Sequence, residues 1–113
     1  LEIGEEAVQM GKWQQALTCF QTALTGLPNE PRVFNGLGDT HLAMADPTRA
    51  LACYKEAVRL GGSTAIYINK VAIIQEDLGL TADAASSRLL AGEIYWDHQQ
   101  VEEAEAQWEA AAR

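Results

Sequence analysis

The chain has 113 residues, 48% of them apolar, which is enough for a packed core in one domain and argues against disorder. Sixteen acidic residues against eight basic ones give a net charge of −8, which excludes nucleic acid and anionic membrane as main partners, because both demand neutralisation of phosphates. No apolar run is long enough to span a bilayer, so no membrane insertion is expected.

Alanine, leucine, glutamate and glutamine dominate, and the three prolines fall between apolar-periodic segments. This mix predicts helix throughout. A first helix is predicted over 1–10. Leu1 already lies inside its pattern, so the chain reads as part of a longer protein. Gly11 breaks it, and a second helix is predicted over 13–26. Asn29-Glu30-Pro31 offers a cap and a proline at the first helical position, opening a helix over 31–44. In that segment Phe34, Leu37, Gly38 and His41 fall on one face. Asp46-Pro47 repeats the start signal for a helix over 47–60, whose stripe is Ala50, Tyr54, Ala57 and Val58. Gly61-Gly62-Ser63 ends it and caps a helix over 64–79. Two more are predicted over 82–97 and 101–112, seven in all.

The helices recur as pairs. Ala16-Leu17-Thr18-Cys19-Phe20-Gln21-Thr22-Ala23-Leu24 returns as Ala50-Leu51-Ala52-Cys53-Tyr54-Lys55-Glu56-Ala57-Val58, an offset of 34 residues, and a further 34 brings Ala84. Gly11, Ala45 and Gly79 keep the same spacing in the turns. Small residues at Gly38, Ala50 and Ala57 let paired helices approach, with Tyr54 filling the groove between them.

These residues resemble the tetratricopeptide repeat. The unit 31–64 carries Phe34, Leu37, Gly38, Ala50, Tyr54 and Ala57 at the family's positions, with His41 in place of a tyrosine and Gly62 in place of a proline. The unit before it carries Gly4, Ala16, Phe20, Ala23 and Pro28. The third supplies Val71, Ala72 and Ala84, but Arg88 stands where an aromatic belongs. A last unit carries Gly92, Tyr95, Ala104, Trp108 and Ala111. The resemblance implies an all-α fold, an α-solenoid of antiparallel helix pairs coiled as a right-handed superhelix. It divides one domain, 1–113, into units near 1–30, 31–64, 65–84 extending into 85–97, and 85–113.

The last unit is out of phase, since Ala104 follows Ala84 by only 20 residues. The segment 82–97 has claims as the second helix of the third unit and as the first helix of the last. Either one helix serves both roles, or residues are missing from the chain between 80 and 90.

Little points to chemistry. Cys19 and Cys53 share a repeat position too widely spaced for a disulfide and read as small buried apolar residues in a reducing compartment. His41 reads as packing, and His98 ends a helix beside Asp97. No convergent set of ligands suggests a metal, no phosphate loop or nucleophile arrangement is present, and no cofactor is expected. Trp108 is expected to fill its unit's groove and Trp13 to pack under a turn. Trp96 falls beside the Gly92/Tyr95 stripe, open to either packing or binding.

The resemblance implies a concave surface lined by the first helix of each pair. Its binding positions fall here on Glu5 and Gln9, on Arg32, Asn35, Asp39 and Leu42, on Ile66, Asn69, Ile73 and Glu76, and on Leu89, Glu93 and Trp96. Asn35 and Asn69 occupy equivalent positions, and their amides are expected to hold a peptide backbone. One subclass of the family clamps the acidic tail of heat-shock chaperones with basic residues and asparagines. The matching positions hold Leu1, Glu5, Gly36, Ile66 and Lys70, so no such clamp is expected.

The function expected is that of a scaffold binding a protein or peptide, the partner basic or amphipathic rather than acidic. Residues 76–113 hold nine acids and two bases, which favours such a partner. The alternatives are self-association as a homo-oligomer through terminal repeat faces and, behind it, an enzyme with an unrecognised site. A cytoplasmic, bacterial protein is the expected setting.

Overall fold

The computed structural model describes residues 4–5, 11–61 and 64–113. Among the described residues there are six α-helices and no strand: α1 (Trp13–Gly26), α2 (Pro31–Ala43), α3 (Pro47–Gly61), α4 (Ala65–Asp77), α5 (Thr81–Asp97) and α6 (Val101–Ala112). The sequence expectation holds for each of these to within two residues at either end. The helix expected over 1–10 lies outside the described residues, apart from Gly4 and Glu5, which are helical. The cap expected at Ser63 also lies outside them. The chain forms two compact units, Leu1–Gly61 and Gly62–Arg113.

The helix ends follow from short-range chemistry. Glu30 is the N-cap of α2 and its carboxylate accepts from the Arg32 N–H at 3.2 Å, with Pro31 in the first turn where a missing N–H costs nothing. Asp46 does the same for α3, accepting from the Arg49 N–H at 3.2 Å. The turns 45, 79 and 99 share one hydrogen-bond pattern. Ala45 N–H donates to Leu42 O and Asp46 N–H to His41 O; Gly79 and Leu80 repeat this onto Glu76 and Gln75, and Gln99 and Gln100 onto Trp96 and Tyr95. Such a stop needs one left-handed residue. The φ values are 61° at Ala45, 77° at Gly79 and 60° at Gln99.

In the first unit, α2 packs between α1 and α3. Two glycines on opposite sides of α2 make this possible. Gly36 faces Phe20 of α1, and Gly38 faces Tyr54 of α3; a Cβ at either would come within 2.3 Å and 2.5 Å of the ring. Phe20 and Tyr54 are consequently buried, with Ala16, Val33, Leu37, Ala50 and Ala57 around them. Burying each ring contributes about 2–3 kcal/mol.

In the second unit, α5 packs against both α4 and α6. It is a single helix of 17 residues. Ala84 is buried in it at one end, and Ala91 and Gly92 further along. The ring of Trp108 on α6 lies over Gly92, where a Cβ would fall 2.3 Å from the indole Nε1. One helix thus carries both sets of small residues that the two registers assign to it. Arg88 lies where the registers cross: 34 residues after Tyr54, and four before Gly92, as Phe34 is before Gly38.

Candidate protein-interaction surface

The residues marked by the resemblance divide into two groups. Of the polar ones, Glu5, Arg32, Asp39, Asn69 and Glu76 are engaged inside their own unit. In the first unit, Arg32 Nε donates to Glu5 Oε2 at 2.8 Å and its Nη2 to Glu5 Oε1, an exposed forked ion pair worth about 0–1 kcal/mol. Asp39 accepts the hydroxyl of Tyr54. Burial, reinforced by that bond and by the charge of Asp39, pushes the Tyr54 phenol far above its ordinary range. Asn35 is half-buried, and Gln9 lies outside the described residues.

In the second unit Asn69 and Glu76 converge on Arg88. Its Nη1 donates to Asn69 Oδ1 and to Gln107 Oε1, both at 2.8 Å, and its Nη2 donates to Glu76 Oε1 at 2.7 Å. Gln107 Nε2 closes the triangle onto Asn69 Oδ1 at 3.0 Å. The Arg88 side chain is only 12% exposed. The Arg88 guanidinium bonded to Glu76 holds that carboxyl below the usual glutamate range, with the charge of Arg113 adding to it. Asn69 is therefore tied to α5 and α6, rather than turned wholly outward as the repeat resemblance implies.

These bonds also tie α6 to α4. Asn69 meets Gln107, and Glu76, two turns further along α4, feels the charge of Arg113, further along α6. The Asn69–Gln107 bond joins α4 directly to α6. The sequence signal for this was the arginine at an aromatic position; its partners were not legible from spacing.

The apolar members of the set are all exposed. Leu42 is 38% exposed, Ile66 60%, Ile73 41%, Leu89 49% and Trp96 51%. Ile66 and Ile73 lie seven residues apart on α4, as do Leu89 and Trp96 on α5, with Glu93 exposed between the latter pair. Seven residues is two helical turns, so each pair shares a face. Trp96 packs against Trp108 with tilted rings whose centroids are 5.6 Å apart, and still stands half in solvent.

Other expected sites are modest. Cys19 and Cys53 are free thiols, half-buried rather than buried. Burial, and then the charge of Asp46, push the Cys53 thiol up. His98 caps the end of α5, and Trp13 is 41% exposed beside Gly11 rather than covered. Among the described residues no three His, Cys, Asp or Glu side chains gather as a metal site would need, and no helix is long and apolar enough to cross a membrane.

Solved structures share this fold. The Yersinia enterocolitica type III secretion translocator chaperone SycD superposes with a TM-score of 0.83 at 22% identity, over 98% of this chain and 79% of that one. PcrH, solved in complex with the chaperone-binding region of PopD, gives 0.85 at 23% identity, over 98% and 86%. SycD in complex with a peptide of the translocator YopD gives 0.81 at 21% identity, over 98% and 88%. No curated protein matches the chain in sequence. The family model for the tetratricopeptide repeat matches residues 1–63 and 35–113, so the whole chain is covered. Its helix pairs are tetratricopeptide repeats, and the chain belongs to the tetratricopeptide repeat family.

Proposed function

We propose that this chain is a protein-interaction scaffold, one repeat domain that holds a segment of a partner protein and acts by binding rather than by catalysis. The observation that carries this reading is the division of the resemblance-marked residues. Glu5, Arg32, Asp39, Asn69 and Glu76 are paired inside their own unit, whereas Leu42, Ile66, Ile73, Leu89 and Trp96 stand in solvent at positions the family uses for contact. Exposed leucine, isoleucine and tryptophan in register gain free energy when a partner covers them, and tryptophan is prominent among binding hot spots. SycD holds a peptide of the translocator YopD and PcrH the chaperone-binding region of PopD, and we extend the peptide-holding role, though not those particular partners, to this chain. The excess of acidic residues in 76–113 favours a partner segment that is amphipathic and basic.

The test is affinity capture of the partner by the immobilised chain, repeated with Ile66→Ser and Ile73→Ser together and with Leu89→Ser and Trp96→Ala together. Capture that falls at least tenfold in either variant supports the reading. Undiminished capture by both overturns it.

A further inference from the structure

A cleft of about 470 Å³ opens where α4 begins, α5 ends and α6 begins. It is lined by Ala65 and Ile66 from α4 and Ile94 and Tyr95 from α5, with polar groups from Thr64, His98, Gln100 and Glu103. Only Ile66 belongs to the positions the repeat resemblance marks. The lining combines two chemistries that a single simple ligand does not satisfy. A purely aliphatic side chain would cover Ile66 and Ile94 but strip water from the Glu103 carboxylate without replacing its hydrogen bonds. An anionic side chain would meet the Glu103 carboxylate, in a segment of nine acids and two bases. A cationic side chain with a long apolar stem satisfies both, its stem against Ile66 and Ile94 and its head on Glu103. Of the two candidates, arginine fits better than lysine. Its planar guanidinium forks onto a carboxylate and stacks on a ring such as Tyr95.

We propose that this cleft receives an arginine side chain of the bound partner segment. The proposal rests on the reading of the chain as a protein-interaction scaffold and adds to it the residues that select the partner. It also carries a spacing. Ile66 at the cleft and Ile73 further along α4 are seven residues apart, roughly 10 Å along the helix. An extended partner lying on α4 covers that span in about three residues. The partner segment therefore carries an arginine about three residues from a large apolar side chain.

The test is a titration of the whole chain, followed by amide NMR spectra, with two short capped peptides. One carries an arginine three residues from a leucine, and the other has glutamate in place of the arginine. The arginine peptide is expected to shift Ile66, Tyr95 and Glu103 together, with the glutamate peptide doing so far less. Glu103→Gln is expected to weaken the arginine peptide by about fivefold, and Glu103→Arg to reverse the preference between the two. Glu103 is exposed, so both variants are expected to keep the parent spectrum elsewhere. Equal responses to the two peptides, or no response at the cleft, overturn the proposal. Shifts confined to Ile73, Leu89 and Trp96 also overturn it while leaving the scaffold reading standing. Cleft shifts that appear with rising protein concentration alone assign the cleft to a second copy of the chain and overturn it too.

Discussion

Arg88 donates to Asn69 at 2.8 Å from a position where the repeat pattern places an aromatic ring. In the first unit, the equivalent Tyr54 plugs the space beside Gly38. In the second unit, the same place is filled by a guanidinium, which gathers Asn69, Glu76 and Gln107 around it. A buried arginine is tolerated only when its donors are met, and no buried side-chain nitrogen or oxygen lacks a partner among the described residues. Arg88→Ala leaves the Asn69 and Gln107 acceptors short of a charged donor and opens space between three helices. A loss of about 2 kcal/mol is expected in urea unfolding, and a smaller loss for Arg88→Met, which keeps the stem.

The ion pair inside this cluster makes stability depend on pH. The Glu76 carboxyl is held below its ordinary value of 4.5, chiefly by the hydrogen bonds from Arg88. A carboxyl with a lowered pKa in the folded state contributes stability that is present above the unfolded value and is lost as pH falls through the folded one. Wild type is therefore expected to exceed Glu76→Gln in unfolding free energy at neutral pH. The difference is expected to close as the pH drops below the ordinary glutamate range. A gap independent of pH would contradict the assignment.

The helix stops give a matched pair of substitutions. Ala45 and Gly79 close their helices in the same way and both have positive φ, 61° and 77°. A left-handed alanine costs about 1 kcal/mol relative to glycine. Ala45→Gly is expected to raise the unfolding free energy by about 0.5–1 kcal/mol, and Gly79→Ala to lower it by a similar amount, although nothing lies within 4 Å of the added Cβ. Thermal or urea unfolding of the two variants checks the signs.

The close approaches between helices predict a steeper effect. An added Cβ at Gly92 would fall 2.3 Å from the Trp108 indole, whereas one at Gly26 meets nothing. Gly92→Ala is expected to cost about 1–3 kcal/mol and to displace Trp108 from Trp96, which near-ultraviolet circular dichroism would report. Gly26→Ala, in the last turn of α1, is expected to be neutral or slightly stabilising.

Much of this architecture was legible in the sequence because it rests on local chemistry. Pro31 and Pro47 mark helix starts, Ala45 and Gly79 mark stops, and the pairing of Gly38 with Tyr54 and of Gly92 with Trp108 follows from one small and one large residue at repeat positions. The candidate surface was legible only as a set of positions. Helical spacing tells which face a side chain is on, but not whether a neighbour reaches it first. Glu5, Asp39, Asn69 and Glu76 lie at the marked positions and are all taken by partners within their own unit. The place of α6 beside α4 was not legible either. The spacing breaks at Ala104, and the Asn69–Gln107 bond that reveals the packing joins residues 38 apart in sequence.

We propose that exposed apolar positions bind the partner while the paired polar positions hold the fold. The most direct test measures both properties on two variants, Ile73→Ser with Trp96→Ala, and Asn69→Ala with Glu76→Gln, by urea unfolding and by titration against the captured partner. The two variants are expected to cross. The apolar variant is expected to bind at least tenfold more weakly with an unfolding free energy within about 1 kcal/mol of wild type. The polar variant is expected to lose more stability and, where folded, to keep its affinity. An apolar variant that binds as wild type does, or a polar variant that loses affinity without losing stability, would contradict it.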